Sequence, residues 1–587
     1  MSAVMEAYEP SAEYLSTLQL PLVQHFELMA TAPGGVAKLR ELILTLAVQG
    51  KLVPQDRKDE PASALLRQIR EEKDRLIAEG KVKREKALPA ITEKEEPFAL
   101  PSGWEWVRLG TLLPFRIGKT PPSKDPQYWG DEGHAWVSIS DMTHFGDVFD
   151  TSRKITAKGA NVFGYEPLPA GTLIMSFKLT IGKISVLRVP AYHNEAIVSL
   201  MPLAGLRTDF LKYMLPTVSK TGASKDALMG ATLNTESLSN LLIALPPLAE
   251  QSRIVTRVQE LMRLCDALEA KGQLEAAQHT QLVHTLLGAL TTSASPEELA
   301  DNWHCVANHF DLLLDRPEAI DALEQTILQL AVRGLVTEQL PSDGKAGDIL
   351  LNPPDLPEGT KRRRKILRRT RDTGIESDLP GVPLSWEWIS IQDLYDLNVI
   401  VDYADGNHGS LYPRSDEFGP DGVTFVSAKD IAGGGIKWET CSKLNEQRAA
   451  QLNKGWANGG DVLLTHNATV GRVAMVEVDA APFLLGTSVT FYRTNACALD
   501  PSYLFFAFMS PIWQNQLKGV MEQTTRNQVS IQKQAELLVP LPPLAEQLRI
   551  VARVESLRRL CADLRQRLAA RQTTQAHLAK ALIDEVA

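Results

Sequence analysis

"LPPLAEQSRIVTRV" occupies residues 245–258, and "LPPLAEQLRIVARV" occupies residues 541–554. Carried through Leu268 and Leu564, the two stretches are identical at 17 of 24 positions. An internal repeat has to be settled first, because it decides what counts as a domain. This spacing is far too long for a solenoid, so the repeated unit is a domain together with its connector.

Other landmarks recur in the same order. "HFELMATAPGGVAKLRELILTLAVQGKLV" from His25 is echoed by "HFDLLLDRPEAIDALEQTILQLAVRGLV" from His309. "GWEWVRLGTL" from Gly103 matches "SWEWISIQDL" from Ser385, and "WVSISDM" from Trp136 answers "FVSAKDI" from Phe425. "GTLIMSFKLTIGKISVL" from Gly171 lies over "GDVLLTHNATVGRVAMV" from Gly460. Between these landmarks the halves diverge: "GKTPPSKDPQYWGDEGHAW" has no close counterpart in "ADGNHGSLYPRSDEFGPDGVTF". A shared frame with divergent loops predicts one fold presenting two different surfaces.

Periodicity supplies the elements. After each LPPLAEQ, apolar residues fall at Ile254, Val258, Leu261, Cys265 and Leu268, and at Ile550, Val554, Leu557, Cys561, Leu564 and Leu568. Alternating steps of four and three mark a helical seam that packs on another helix. The preceding Pro-Pro cannot sustain a strand ladder but can open a helix. Gly272 interrupts the first seam, which is expected to resume at Leu282 and Leu286. Regions 101–245 and 385–540 instead hold short β-branched and aromatic runs broken by Gly, Pro, Asn and Asp, the pattern of strands and turns. The fold class is therefore α+β. The expected domains are an N-terminal helical region (1–100), a globule (101–245), a helical spacer with a basic linker (246–384), a second globule (385–540) and a C-terminal helix (541–587).

Composition narrows the class. With 587 residues, 44% hydrophobic and 23% charged, the chain is ordinary for a globular protein of several domains. The start lacks the basic-then-apolar pattern of a signal peptide, and no apolar run is long enough to span a bilayer. Five scattered cysteines without a CxxC pair point to a reducing cytoplasm. A net charge of −9 argues against a chain that grips nucleic acid alone. The one basic run, "KRRRKILRRTR" at 361–371, reads as a solvated linker or a phosphate-contacting loop.

With its doubled PLPPLAEQ-plus-helix element, W-E-W entries and LAVQGKLVPQ-like helix ends, the sequence resembles the DNA-specificity subunit of Type I restriction-modification systems over nearly its whole length. The resemblance implies two target-recognition domains separated by long helices in an antiparallel coiled coil, with internal pseudo-twofold duplication. It implies that each recognition domain reads one half of a split double-stranded DNA site. The helices would set the distance between halves and dock two methylation subunits, with two restriction subunits able to join. No cofactor is expected on this chain; S-adenosylmethionine, ATP and Mg are implied for the partner subunits. The rival readings are a stand-alone DNA methyltransferase or nuclease, and a coiled-coil scaffold indifferent to DNA.

No G-x-x-x-x-G-K-[ST] loop and no H-E-x-x-H spacing is present, which disfavours an autonomous enzyme. "NPPD" at 352–355 imitates the base-holding motif of amino-methyltransferases, but Asp355 stands where that motif has an aromatic residue. Reading DNA needs donors and acceptors on loops and cations for phosphates. Candidates in the first globule are Lys119, Thr120, Ser123, Lys124 and Tyr128, with Lys178, Thr180 and Lys183 on a strand–loop–strand corner. Those in the second are His408, Tyr412 and Arg414, then His466, Asn467, Thr469 and Arg472 at the matching corner, and Arg526, Asn527 and Gln528. Each of these residues serves equally well as a solvated turn. Glu250, Gln251 and Arg253, with Glu546, Gln547 and Arg549, are expected to dock partner subunits or simply to open their helices. Trp104, Trp106, Trp386 and Trp388 read as domain core.

Overall fold

The structure, a computed structural model, describes residues 29, 32–82, 87–178, 180–218, 235–293, 295–358, 379–523 and 527–586. The basic run 361–371 and Arg526 lie outside the described residues. Helices Gly35–Val48 and Ala62–Ala78 precede the first globule. Each W-E-W segment pairs antiparallel with the strand that leads into a repeated helix, Glu105–Arg108 with Leu242–Leu245 and Glu387–Ser390 with Leu538–Leu541. The register is the same in both: Trp106 faces Ala244, and Trp388 faces Pro540. Pro540 is tolerated because a two-stranded ribbon leaves one edge of each strand free.

In the first globule a five-stranded sheet runs Phe115–Ile117, Ile197–Leu200, Leu173–Ser176, Ile184–Leu187, Gly146–Val148. A four-stranded sheet beside it runs Trp129–Gly130, Arg153–Ile155, His134–Val137, Ala191–His193. The second globule has a four-stranded sheet in the order Ile400–Asp405, Val489–Thr494, Val462–Thr465, Val473–Met475. Its other sheet, of five strands, runs Phe418–Gly419, Ser442–Leu444, Val423–Val426, Phe483–Leu485, Trp456–Ala457. The central strands are buried on both faces, so they read as continuous apolar runs such as "LIMS", "ISVL" and "VLLT" rather than as alternation.

The repeated helices are Leu248–Thr292 and Leu544–Val586, of 45 and 43 residues, or about 65 Å each at 1.5 Å per residue. Compactness divides the chain into two units, 1–274 with 572–587, and 275–571. The division runs through both helices rather than at their ends, so each unit pairs the beginning of one helix with the end of the other, an antiparallel arrangement. In the first unit Leu582 and Ile583 pack on the core that holds Ile254, Val258, Leu261 and Cys265. In the second, Val283, Leu287 and Leu290 share a core with Ile550, Val554, Cys561 and Leu568.

The helix continues through Gly272, and the seam resumes at Val283 rather than at Leu282, which is 44% exposed. Leu286 only flanks this core. Two successive steps of four, from His279 to Val283 to Leu287, move the buried line by one residue, a local break in the heptad of the kind that shifts a coiled-coil seam. Cys265 and Cys561 are buried, and burial pushes the Cys265 thiol up to about 11, as fits small core residues.

Candidate nucleic-acid interface

The repeated sentence is an internal lock. Glu250 and Glu546 begin the long helices and are buried, each accepting a hydrogen bond from an indole: Trp104 Nε1 at 3.0 Å and Trp386 Nε1 at 2.8 Å. Gln251 and Gln547, also buried, donate back to the Pro246 and Pro542 carbonyls at 3.1 and 2.9 Å. Arg253 is paired with Asp59 at 2.6 Å, and Arg549 with Asp343 at 2.5 Å. The glycine of each LAVxG helix end completes the contact. Gly50 and Gly334 have φ of +69° and +71°, and a Cβ on either would come within 2.5–2.6 Å of Pro101 or Pro383.

This corrects the docking reading for the four buried residues. Glu250, Gln251, Glu546 and Gln547 are enclosed by their own half, and Arg253 and Arg549 are engaged in ion pairs with it. In sequence, a polar helix start resembles a surface; here a tryptophan from another segment covers it. Burial raises the Glu250 and Glu546 carboxyls above the usual range, and their indole partners offset only part of that shift.

The divergent loops gather at sheet ends. In the first globule, Lys119 and Thr120 follow the strand Phe115–Ile117; Lys119 N–H donates to the His193 carbonyl at 3.0 Å, and Thr120 hydrogen-bonds Glu195. Phe177 N–H donates to Ala196 at 3.0 Å, which brings the Lys178–Thr180–Lys183 turn beside them. Within that turn Lys183 Nζ donates to the Ile139 carbonyl at 3.0 Å, and Lys119 Nζ to that of Val162 at 2.9 Å. Ser123 and Lys124 are exposed on the adjoining loop, and Tyr128 lies 4.9 Å beneath Lys158 Nζ. That loop is held by two indoles, Trp129 Nε1 donating to Pro122 at 2.9 Å and Trp136 Nε1 to Lys119 at 3.0 Å.

In the second globule the 466–469 corner and the 527–528 strand meet directly. Asn467 bridges Gln528, and Ala468 N–H donates to Asn527 at 2.9 Å. Thr469 closes the corner through its N–H to the Asn467 carbonyl at 2.8 Å. His408 stands exposed at the end of the neighbouring strand, 2.6 Å from the buried carboxylate of Asp405, which Lys454 also engages.

Four candidates do not join this corner. His466 is buried with its ring against the Thr487 and Val529 carbonyls at 2.9 and 3.3 Å, and burial lowers its pKa to about 4. It is a neutral internal group rather than a cation for DNA. Arg472 donates to Ile431 at 3.1 Å and lines a cavity with Arg558 and Arg565 on the long helix. Tyr412 and Arg414 lie on the loop that leads into the other sheet, Tyr412 edge-on to Phe425 at 6.1 Å. The NPPD stretch is a strap: the Pro354 and Asp355 carbonyls accept from Asn398 and Asn495 at 3.1 and 3.0 Å.

Sequence reasoning missed Arg153 and the Asp405–Lys454 pair. Arg153 lies on a strand opposite Trp136, its guanidinium carbon 3.4 Å from the centre of the Trp129 ring. The aromatic spacing of "QYW" and "HAW" was visible, but the strand register that lays an arginine on it was not. Among the described residues no helix is long and apolar enough to cross a membrane, and no acidic, His or Cys group could hold a metal ion.

Two globules on one repeated frame, each ending in its own polar loops, define a two-headed recognition protein. The sequence pattern of the Type I restriction modification DNA specificity domain matches residues 101–278 and again 414–571. The Type I restriction enzyme EcoAI specificity subunit of Escherichia coli is 32% identical over 588 residues, covering 94% of this chain and 93% of its own. The EcoEI specificity subunit of the same organism is 31% identical, with the same coverage of both chains. A structure from a study of complex assembly and conformational transition of the type I R-M system aligns with 84% of this chain and 99% of its own, at 18% identity and a TM-score of 0.47. The chain belongs to the Type I restriction-modification DNA-specificity subunits.

Proposed function

We propose that this chain reads a bipartite, asymmetric site on double-stranded DNA, one half with each globule, and docks methylation subunits that modify adenine. The supporting observation is the contrast within each half. The lock around Trp104–Glu250 and Trp386–Glu546 is the same, while the loops at the sheet ends differ in charge and in hydrogen-bonding groups. A duplicated frame suits two copies of one methylation subunit, and divergent loops suit two different half-sites; dimeric DNA readers meet the same spacing problem with two chains. S-adenosylmethionine belongs to the methylation subunits, and ATP and Mg to restriction subunits where they join. The second globule carries more acidic than basic residues, which fits a reader that binds tightly only when partners add positive surface around the duplex.

The test is reconstitution. The purified chain alone should leave DNA unmethylated, and adding methylation subunits should yield N6-methyladenine in one split motif. Robust methylation by the chain alone would favour an autonomous enzyme, and a complex without sequence preference would favour a scaffold.

A further inference from the structure

Arg153 is exposed on the strand Arg153–Ile155, and its guanidinium lies flat over Trp129, with the carbon 3.4 Å from the ring centre. Trp129 is itself fixed, edge-to-face against the buried Trp136 at 4.9 Å and tied by Nε1 to the Pro122 carbonyl at 2.9 Å. The guanidinium has no hydrogen-bond or ion-pair partner among the described residues. A cation on an indole is held by the ring quadrupole while its in-plane N–H donors stay unoccupied. The result is a planar donor fork whose orientation is set before any ligand arrives.

The same place in the second globule is built differently. There Phe425 faces Ser442 across the strand pair, as Trp136 faces Arg153, and Phe418–Gly419 takes the edge as Trp129–Gly130 does. The backbone frame is shared and the arginine is not. Arg153 also stands close to the candidate loop, since Trp136, its cross-strand partner, donates to the Lys119 carbonyl at 3.0 Å.

We infer that Arg153 is a base-reading residue of the first globule, donating its fork to the O6 and N7 acceptors of a guanine in that half-site. The inference rests on the DNA-reading function proposed above. A backbone phosphate could also take the fork, but an exposed lysine such as Lys124 serves a phosphate as a point charge, without a fixed orientation. A stacked, rigid fork matches the fixed edge of a base.

The experiment maps N6-methyladenine on a randomised DNA library, using the full chain assembled with its methylation subunits. The wild-type complex comes first: if it methylates no defined motif, the functional reading fails before any variant is considered. Given a defined motif, Arg153→Ala and Arg153→Lys should both relax one guanine position in one half-site, with discrimination there falling about 10- to 100-fold. The other half-site should be unchanged. Thermal melting of both variants should fall only slightly, because the side chain is exposed and gives up only its stacking on the indoles. Uniform weakening over all sequences with a shallower salt dependence, and with Arg153→Lys behaving as wild type, would assign the arginine to a phosphate and overturn the inference. An unchanged motif, or relaxation in both half-sites, would overturn it equally.

Discussion

Set side by side, the two globules share the contact that joins each to its long helix and part company at the sheet ends. The first ends in Lys119, Thr120 and the turn carrying Lys178, Thr180 and Lys183, beside Arg153 on its tryptophan shelf. The second ends in His408 and Lys454 gathered on the buried Asp405, with Asn467 laid against Gln528. One surface offers cations, and the other a histidine and a lysine held on a carboxylate beside neutral amides. The repeat therefore marks what the two halves share, a mechanical frame, and its gaps mark where each half does its own chemistry.

The largest expected effect follows directly. Replacing residues 101–245 with the recognition domain of another specificity subunit should replace one half of the methylated motif and leave the other intact, as read by sequencing N6-methyladenine. The incoming domain must keep a W-E-W entry so that an indole still reaches Glu250. Simultaneous change of both half-sites would mean that the globules do not read independently.

The next comparison concerns the lock. Trp104→Ala and Trp386→Ala each remove a buried indole from a buried carboxyl, and each should cost about 3–5 kcal/mol in denaturant unfolding. The Trp104 loss should be the larger, because Glu546 keeps Gln339 Nε2 at 2.6 Å as a second donor; a larger Trp386 loss would break this comparison of the halves. A smaller effect separates charge from shape. The Glu250 carboxyl is raised by burial, so the folded state binds its proton more tightly than the unfolded chain does. Its contribution is thus fully present below the ordinary glutamate pKa and is lost as pH rises through the raised value. Glu250→Gln keeps an oxygen for the Trp104 N–H and removes the titration. Its stability should fall less than that of wild type between about pH 4 and pH 7, measured by urea unfolding at each pH.

How much of this was legible beforehand depended on the range of the interactions involved. The long helices showed because a seam from Ile550 to Leu568 repeats within a few turns, and the strands showed because "VLLT" and "ISVL" are local. The roles of Glu250 and Glu546 were hidden because their partners lie 146 and 160 residues away in sequence. His466 misled for a similar reason: the carbonyl of Val529 that encloses it is 63 residues further on. The convergence of Asn467 with Gln528 was half visible, since both segments looked polar and loop-like, but only the fold puts them in one bridge. Leu282 was displaced from the seam by a one-residue shift that no single apolar residue announces.

The smallest expected effect concerns a place where the frame itself is reversed in sign. On helix Gly35–Val48, Arg40 reaches Asp266 and Glu269 on the first long helix at 2.7 and 2.8 Å. At the matching position of helix Pro317–Ala331 stands Glu324, which meets Arg558 and Arg565 on the second long helix, both at 2.6 Å. Each short helix thus carries the charge that suits its own long helix and repels the other: Arg40 would oppose the position of Arg565, and Glu324 that of Glu269. Such opposed polarity discriminates between partners mainly by penalising the wrong one. Partly exposed ion pairs contribute little singly, about 0.2–1 kcal/mol. Arg40→Glu should therefore lower stability by about 1 kcal/mol, and combining it with Asp266→Arg and Glu269→Arg should recover most of that loss. The recovery should shrink in high salt, as expected for screened surface charges. Glu324→Arg should cost more than Arg40→Glu, because Glu324 is only 12% exposed whereas Arg40 is 32% exposed. A thermodynamic cycle over the single and combined variants measures the coupling. If the combined variant were no more stable than Arg40→Glu alone, the reversed charges would be incidental to how each half holds its own helix.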